Sequence, residues 1–98
     1  MDGEDQRRLF PGGELVVKGI ADLRSDLETI ESCLVAIGSW RLRRAGLDIP
    51  EHSYDLPEHR LYELLAAEDS DTAHGRYNAL LGRLVSFERA WECVNTRT

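Results

Sequence analysis

The chain has 98 residues and a formal net charge of −6, from 12 basic and 18 acidic side chains. A chain of this length forms one domain with a modest core, and its acidic balance argues against general nucleic-acid binding, because phosphates would be repelled. That balance does not exclude a local basic patch. No apolar run approaches the roughly 20 residues that a bilayer span needs, and the opening Met1-Asp2-Gly3-Glu4-Asp5 is too acidic for a secretory leader. We therefore expect a cytoplasmic protein with no membrane partner.

The first predicted helix spans Glu14 to Ala45 and follows a polar segment that ends in Pro-Gly-Gly. We interpret residues 1–13 as a flexible tail and residues 14–98 as one helical-bundle domain. The helix carries apolar residues at alternating steps of four and three, the heptad pattern of a helix that packs along another helix. These residues are Val16, Ile20, Leu23, Leu27, Ile30, Leu34 and Ile37. Gly46 is predicted to end the helix.

Two more helices are predicted further along the chain. Asp55-Leu56-Pro57-Glu58 has the form of a capping box and opens a short helix over residues 56–68. A turn then leads into a third helix over residues 72–95, which repeats the heptad spacing. Its apolar residues are Ala73, Tyr77, Leu80, Leu84, Phe87, Trp91 and Val94. Two apolar stripes of equal length predict that the first and third helices pack against each other in antiparallel orientation.

The flanking charges predict a register for this pair. One alignment places Asp26 near Arg83 and Arg24 near Glu88, so both flanks attract. Exposed ion pairs stabilise by only about 0.2–1 kcal/mol each, so apolar burial sets the fold and the charges choose the register. The expected fold is all-α: a long antiparallel helical hairpin, with the short helix over one end, that pairs into a dimeric four-helix bundle.

A stripe of small residues on the third predicted helix is the reason to expect a homodimer. Gly75, Ala79, Gly82 and Ser86, which we call the small-residue face, recur at steps of four, three and four. Glycine in a helix costs about 0.8–1.0 kcal/mol relative to alanine, so two glycines on one face indicate a use. A thin hairpin core would also be stabilised by a partner subunit. The alternative is a solvated face without a partner.

The end of the first predicted helix carries Trp40, Arg41, Arg43 and Arg44, which we call the Trp40 patch. Three arginines and an indole within five residues can bind phosphate, a carboxylate-rich peptide, or single-stranded nucleic acid by charge and stacking. The alternative is that the arginines only compensate the helix dipole, with Trp40 packed under the short helix.

No motif indicates catalysis, so the chain is not expected to be an enzyme or to hold a cofactor. His52, His59 and His74 lie in or near the connectors, but no Glu-x-x-His motif of a di-metal bundle is present. Cys33 and Cys93 are expected to be buried thiols. The leading interpretation is an adaptor, regulatory or assembly subunit that acts through protein–protein interaction. The alternatives are a nucleic-acid-associated accessory protein that uses the Trp40 patch and a metal- or ligand-binding bundle.

Overall fold

The computed structural model describes residues 7–51 and 54–95. Within these residues it contains four α-helices and no strand, which confirms the prediction of an all-α fold. The helices are α1 (Gly13–Arg24), α2 (Ile30–Arg44), α3 (Pro57–Glu68) and α4 (Ala73–Asn95). None of these four helices is long and apolar enough to cross a bilayer.

The first predicted helix is in fact two helices, so the prediction of one continuous helix in this region is wrong. Asp26 takes the left-handed conformation with a φ of 58°. The Leu27 amide donates to the Asp22 carbonyl at 2.8 Å, and the Asp26 amide donates to the Leu23 carbonyl at 3.1 Å, which is the pattern of a Schellman motif. Leu27, which the heptad pattern placed in the interface, is 52% exposed. The chain reverses here, and α1 and α2 form a hairpin of their own.

A network of side chains fixes the start of α2. Thr29 is the N-cap: its Oγ1 accepts from the Ser32 amide at 3.0 Å, while Ser32 Oγ accepts from the Thr29 amide at 2.8 Å. This reciprocal pair is a capping box. Thr29 Oγ1 also donates to the Asp22 carboxylate at 2.6 Å, which receives Lys18 Nζ at 2.7 Å. The last turns of α1 are thereby tied to the first turn of α2.

The ionised Asp22 carboxyl is expected to stabilise the protein, and this contribution should be lost in acid. Burial opposes its ionisation, but the hydrogen bonds from Lys18 and Thr29 together outweigh burial and lower its pKa. A carboxyl of this kind contributes stability that is complete above its unfolded pKa of about 3.9 and is lost as the pH falls through the lower folded value. Urea unfolding at a series of acidic pH values should show this loss in the wild type and a flatter profile in Asp22→Asn. Identical acid profiles would contradict the assignment.

The close approach of α1 and α2 depends on Gly19. A Cβ at this position would overlap the carbonyl oxygen of Glu31 and a methyl group of Val35. The adjacent Ile20 is 2% exposed, and Val35 is fully buried. The absence of a side chain at Gly19 therefore lets the two backbones meet.

The N-terminal end of α1 packs against the middle of α4, and the two helices run antiparallel. Arg83 of α4 pairs with Glu14 at the start of α1, and the Phe10 ring lies 6.0 Å from the Phe87 ring. The predicted pairing of Arg83 with Asp26 is therefore wrong. Asp26 sits in the turn that ends α1, at the opposite end of this helix.

Along α2, by contrast, α4 runs parallel. Arg41 pairs with Glu88 at 3.0 Å, and one turn further the Ala45 carbonyl accepts from Trp91 Nε1 at 3.1 Å. The predicted pairing of Glu88 with Arg24 is also wrong, because α2 lies beside this part of α4. Because the first predicted helix is divided into α1 and α2, α4 packs against one antiparallel helix, α1, and one parallel helix, α2.

The short helix α3 begins one residue later than predicted, ends where predicted, and lacks the predicted cap. The residue before it is Leu56, no side chain caps it, and Pro57 occupies the first turn, where a missing amide proton costs nothing. Leu61 and Leu65 are fully buried. The helix therefore contributes directly to the core, packed against α2 and α4.

Most apolar residues of the two heptad patterns lie in or against the core, which is centred on the largest buried side chains. These are Phe87, Leu34, Leu42, Leu61, Leu65 and Leu84. Gly46 takes a φ of 97° and ends α2 as predicted, which turns Leu47 back onto the core. Of the predicted tail, residues 1–6 lie outside the described residues. Phe10 packs against Phe87 and, at 5.1 Å, against Trp91.

Candidate interaction surfaces

The four residues of the Trp40 patch differ in what they contact. Arg43 donates from Nε to the Ile49 carbonyl at 3.1 Å and from Nη2 to the Pro50 carbonyl at 3.0 Å. Its guanidinium therefore holds the loop after α2 against the helix end. The short spacing of arginines in the sequence could not reveal this, because the two acceptors are backbone atoms of a loop.

Arg41 is partly engaged as well. Its Nε donates to Glu88 Oε1 at 3.0 Å, and the Arg41 side chain is 49% exposed while the Glu88 side chain is 12% exposed. The second carboxylate oxygen, Oε2, has no hydrogen-bond partner among the described residues and lies where a Cβ on Gly38 would come within 2.6 Å. The carboxylate is therefore packed between two helices, and Arg41 is its charge partner.

Trp40 and Arg44 contact each other on the exposed surface of α2. Trp40 is 64% exposed, so it is not packed under α3 as one of our alternatives had it. The Arg44 guanidinium lies 4.8 Å from the centre of the Trp40 ring, a cation–π contact. A large indole held under an arginine on a helix is a rigid feature that a partner can contact.

Ion pairing sets this end of the molecule apart from the rest. Among the arginines and the lysine within residues 13–95, six form ion pairs: Lys18, Arg24, Arg41, Arg60, Arg76 and Arg83. Arg43, Arg44 and Arg89 form none with another described residue. Arg89 lines a cleft of about 290 Å³ together with Arg41, Trp91 and the carboxylates of Glu88 and Glu92. Within residues 13–95, the three basic side chains without an ion pair therefore lie on the C-terminal halves of α2 and α4, and acidic side chains accompany them on α4.

The small-residue face lies on the solvent side of α4. All four of its residues are exposed, and a Cβ added at Gly75 or Gly82 would meet nothing within 4 Å. Val85 beside it is 37% exposed. The arginines on either side are neutralised within the chain, since Arg76 pairs with Glu68 and Arg83 pairs with Glu14.

Two other glycines have a steric purpose that the sequence reading missed. Gly19 allows α1 to approach α2, and Gly38 accommodates Leu84 and Glu88 of α4. Neither belongs to a stripe of small residues at helical spacing, which is the signal that drew attention to Gly75 and Gly82. Each lies next to large apolar residues instead, and that arrangement is a weaker signal in sequence.

A second cleft, of about 530 Å³, opens between α3 and α4. It includes Leu56, which is 68% exposed, and the rings of Tyr62 and Tyr77, whose centres are 5.6 Å apart. His59 and His74 also line it. Within residues 7–51 and 54–95, no three His, Cys, Asp or Glu side chains come together to hold a metal ion, and His52 lies outside the described residues.

The two cysteines have different surroundings. Cys33 is buried, and burial is the main cause that raises the pKa of its thiol to about 11, which disfavours the nucleophilic thiolate. Cys93 is exposed, so the expectation that both thiols are buried is wrong for Cys93. Its position on the outer side of the last turns of α4 explains the difference.

Comparison with known proteins adds no relative to this description. No protein-family model, no curated protein and no solved structure matches the chain. Function is therefore inferred from the surfaces described above.

Proposed function

We propose that this protein is an interaction module, an adaptor or assembly subunit, that forms a homodimer through the small-residue face. The observation that carries the proposal is the open space around Gly75 and Gly82 in the middle of an exposed helix. Each glycine costs about 0.8–1.0 kcal/mol relative to alanine, and neither is needed for a contact or a positive φ within the described chain. A second helix packed on this face could approach closely, because Gly75 and Gly82 have no side chains to hold it away.

The charges near the small-residue face suit self-association. In a two-fold symmetric dimer each surface meets its own copy, so unneutralised charge of one sign would repel. Arg76 and Arg83 each have an acidic partner within the chain, and Val85 adds apolar area. From the sequence, a thin hairpin core was a reason to expect a dimer. One chain already assembles four helices, so this reason is weaker. The proposal therefore rests on the face itself.

Light scattering tests the dimer directly. We expect the wild type at micromolar concentration to have about twice the 11.1 kDa mass of one chain. Gly75→Gln/Gly82→Gln places two longer side chains on the small-residue face and should give the monomer mass. Glutamine is a better helix former than glycine, so the variant should melt no lower than a monomeric wild type. Ala67→Gln, on the exposed side of α3, is the matched control and should stay dimeric. A wild-type mass of one chain would refute the proposal.

The Trp40 patch is the proposed surface for a second protein. Tryptophan and arginine are the residues most enriched at binding hot spots, and Trp40 and Arg44 form an exposed pair. Arg43 already donates to two carbonyls, so it has fewer N–H groups to offer to a phosphate backbone, and this favours a protein over a nucleic acid. The nucleic-acid alternative predicts salt-dependent binding of single-stranded RNA or DNA that is weakened by Arg44→Gln.

A further inference from the structure

We propose that the cleft between α3 and α4 binds a small organic cation, a molecule that carries an alkylated ammonium group on an apolar body. This goes beyond the interaction role proposed above and concerns a different surface. Three observations lead to it: an exposed leucine at the start of α3, a pair of tyrosine rings, and the sign of the charges around the cleft.

Leu56 has no structural purpose within the described chain that accounts for its side chain. It is the N-cap residue of α3 and makes no side-chain cap, and leucine is among the residues least favoured at this position. It is also 68% exposed, so burial in the core does not explain it. Because Leu56 lines the cleft, an apolar part of a bound molecule would cover it.

Two tyrosine rings line the same cleft from different helices. The rings of Tyr62 on α3 and Tyr77 on α4 have centres 5.6 Å apart and planes inclined by 57°, so they are not stacked face to face. The face of such a ring carries partial negative charge and attracts cations. Groups of aromatic rings are a common means of binding alkylated ammonium ions. The pair therefore suits an ammonium group better than an anion.

The charged group in the cleft also favours a cation. Among the described residues that line it, Glu58 has the only carboxylate, and no arginine or lysine is present. Glu58 forms no ion pair with another described residue. It lies in the first turn of α3, where the helix dipole stabilises negative charge without providing a counter-ion. Its carboxylate is therefore available to a cationic ligand.

The surface beside the cleft has the same sign of charge. An adjoining cleft of about 400 Å³, which shares Leu56, is lined by three carboxylates and one guanidinium: Glu28, Asp55, Glu63 and Arg60. Arg60 pairs with Glu28 at 2.7 Å and with Glu63 at 3.1 Å, so the excess charge there is negative. Charge of one sign around a cleft raises the local concentration of an oppositely charged ligand.

The size and position of the cleft fit a free small molecule. Its volume of about 530 Å³ is within the range of about 300–1,000 Å³ for small-molecule sites, and it leaves room for an apolar part beyond the ammonium group. On α4, His74 and Asn78 line the cleft, and Gly75 and Ala79 of the small-residue face each follow one residue later. One residue is about 100° around a helix, so the dimer and the ligand use different sides of α4.

Choline and 3,3-dimethylbutan-1-ol test the proposal, because they have the same shape and only choline is charged. Each is titrated into the full chain at pH 8 and constant ionic strength, and the tyrosine ring resonances are followed by NMR. We expect choline to bind about fivefold more tightly than the alcohol. Tyr62→Leu keeps an apolar side chain and should reduce this preference to less than about twofold.

Glu58→Gln is expected to weaken choline binding by about two- to fivefold and to leave binding of the alcohol unchanged. Its matched control is Glu51→Gln, which removes the same charge from an exposed position outside the cleft and should bind choline as the wild type does. Circular dichroism of each variant checks that the helices are retained.

Several results would overturn the proposal. They are equal binding of choline and the alcohol, no binding of either compound at tens of millimolar, an unchanged preference in Tyr62→Leu, and equal losses in Glu58→Gln and Glu51→Gln. Co-sedimentation with phosphatidylcholine vesicles, which present the same ammonium group on a membrane, would contradict a free ligand. The dimer is tested separately by mass, so failure here leaves the result for the small-residue face intact.

Discussion

Gly19→Ala is expected to lower the free energy of unfolding by about 3 kcal/mol or more, at or beyond the upper end of overpacking effects. The added Cβ would overlap the Glu31 carbonyl oxygen and a methyl group of Val35. A side chain could turn away, but the carbonyl belongs to the first turn of α2, and moving it separates the two helices. The buried side chains of Val16, Ile20 and Val35 would lose contact as a result.

Gly75→Ala is the matched control for this prediction, since it makes the same change in another helix. Its Cβ would meet nothing within 4 Å, so the monomer should gain about 0.8–1.0 kcal/mol from helix propensity. Urea unfolding followed by circular dichroism, at concentrations low enough to keep both variants monomeric, measures the two effects. Equal stability of Gly19→Ala and the wild type would mean that α1 and α2 do not meet at this residue.

The break between α1 and α2 shows where heptad spacing misleads. The apolar steps continue from Leu23 through Leu27 to Ile30, and no glycine or proline interrupts them. The chain nevertheless ends α1 with Asp26 in the left-handed conformation, a position that aspartate tolerates better than most residues. The signal lay in the polar residues: Thr29 and Ser32 form the capping box of α2. The heptad spacing predicted that most of these apolar side chains are buried, but it did not predict which helix each of them belongs to.

Charge pairing was a poor guide to register. Exposed ion pairs stabilise by about 0.2–1 kcal/mol, so long arginine and glutamate side chains adapt to whatever packing the core imposes. Arg83 and Glu88 do form ion pairs, with Glu14 and Arg41 rather than with the predicted residues. The close contact at Gly19 restricts the arrangement far more, because the backbone carbonyl of Glu31 cannot move away from it without opening the core.

The residues of the Trp40 patch could be identified from the sequence, but the contact that each of them makes could not. Arginine side chains of similar reach end up on a carboxylate, on two carbonyls and over an indole, according to what lies beside each turn of α2. Those neighbours come from α4 and from the loop after α2. These different contacts therefore follow from the fold: all four residues are exposed, but Arg41 and Arg43 are already held by contacts to Glu88 and to the loop after α2.

Phe87→Ala is expected to cost about 3–5 kcal/mol, the range for removing a large buried aromatic side chain. Phe87 is fully buried, and its ring contacts Phe10 at 6.0 Å and Trp91 at 5.8 Å. With typical domain stabilities of about 5–15 kcal/mol, this loss approaches the whole margin. Val94→Ala, in the same helix but at a 55% exposed position, is the matched control, and we expect it to change stability by less than about 0.5 kcal/mol.

Adding Phe10→Ala to this comparison tests whether the segment before α1 belongs to the folded domain. Packed aromatic pairs are coupled by about 0.5–1.5 kcal/mol in double-mutant cycles. We expect a coupling of that size between Phe10 and Phe87, because the edge of one ring meets the other. A coupling of zero would place Phe10 away from the core. Urea unfolding of the two single variants and the double variant therefore measures whether the residues just before α1 contribute to the folded core.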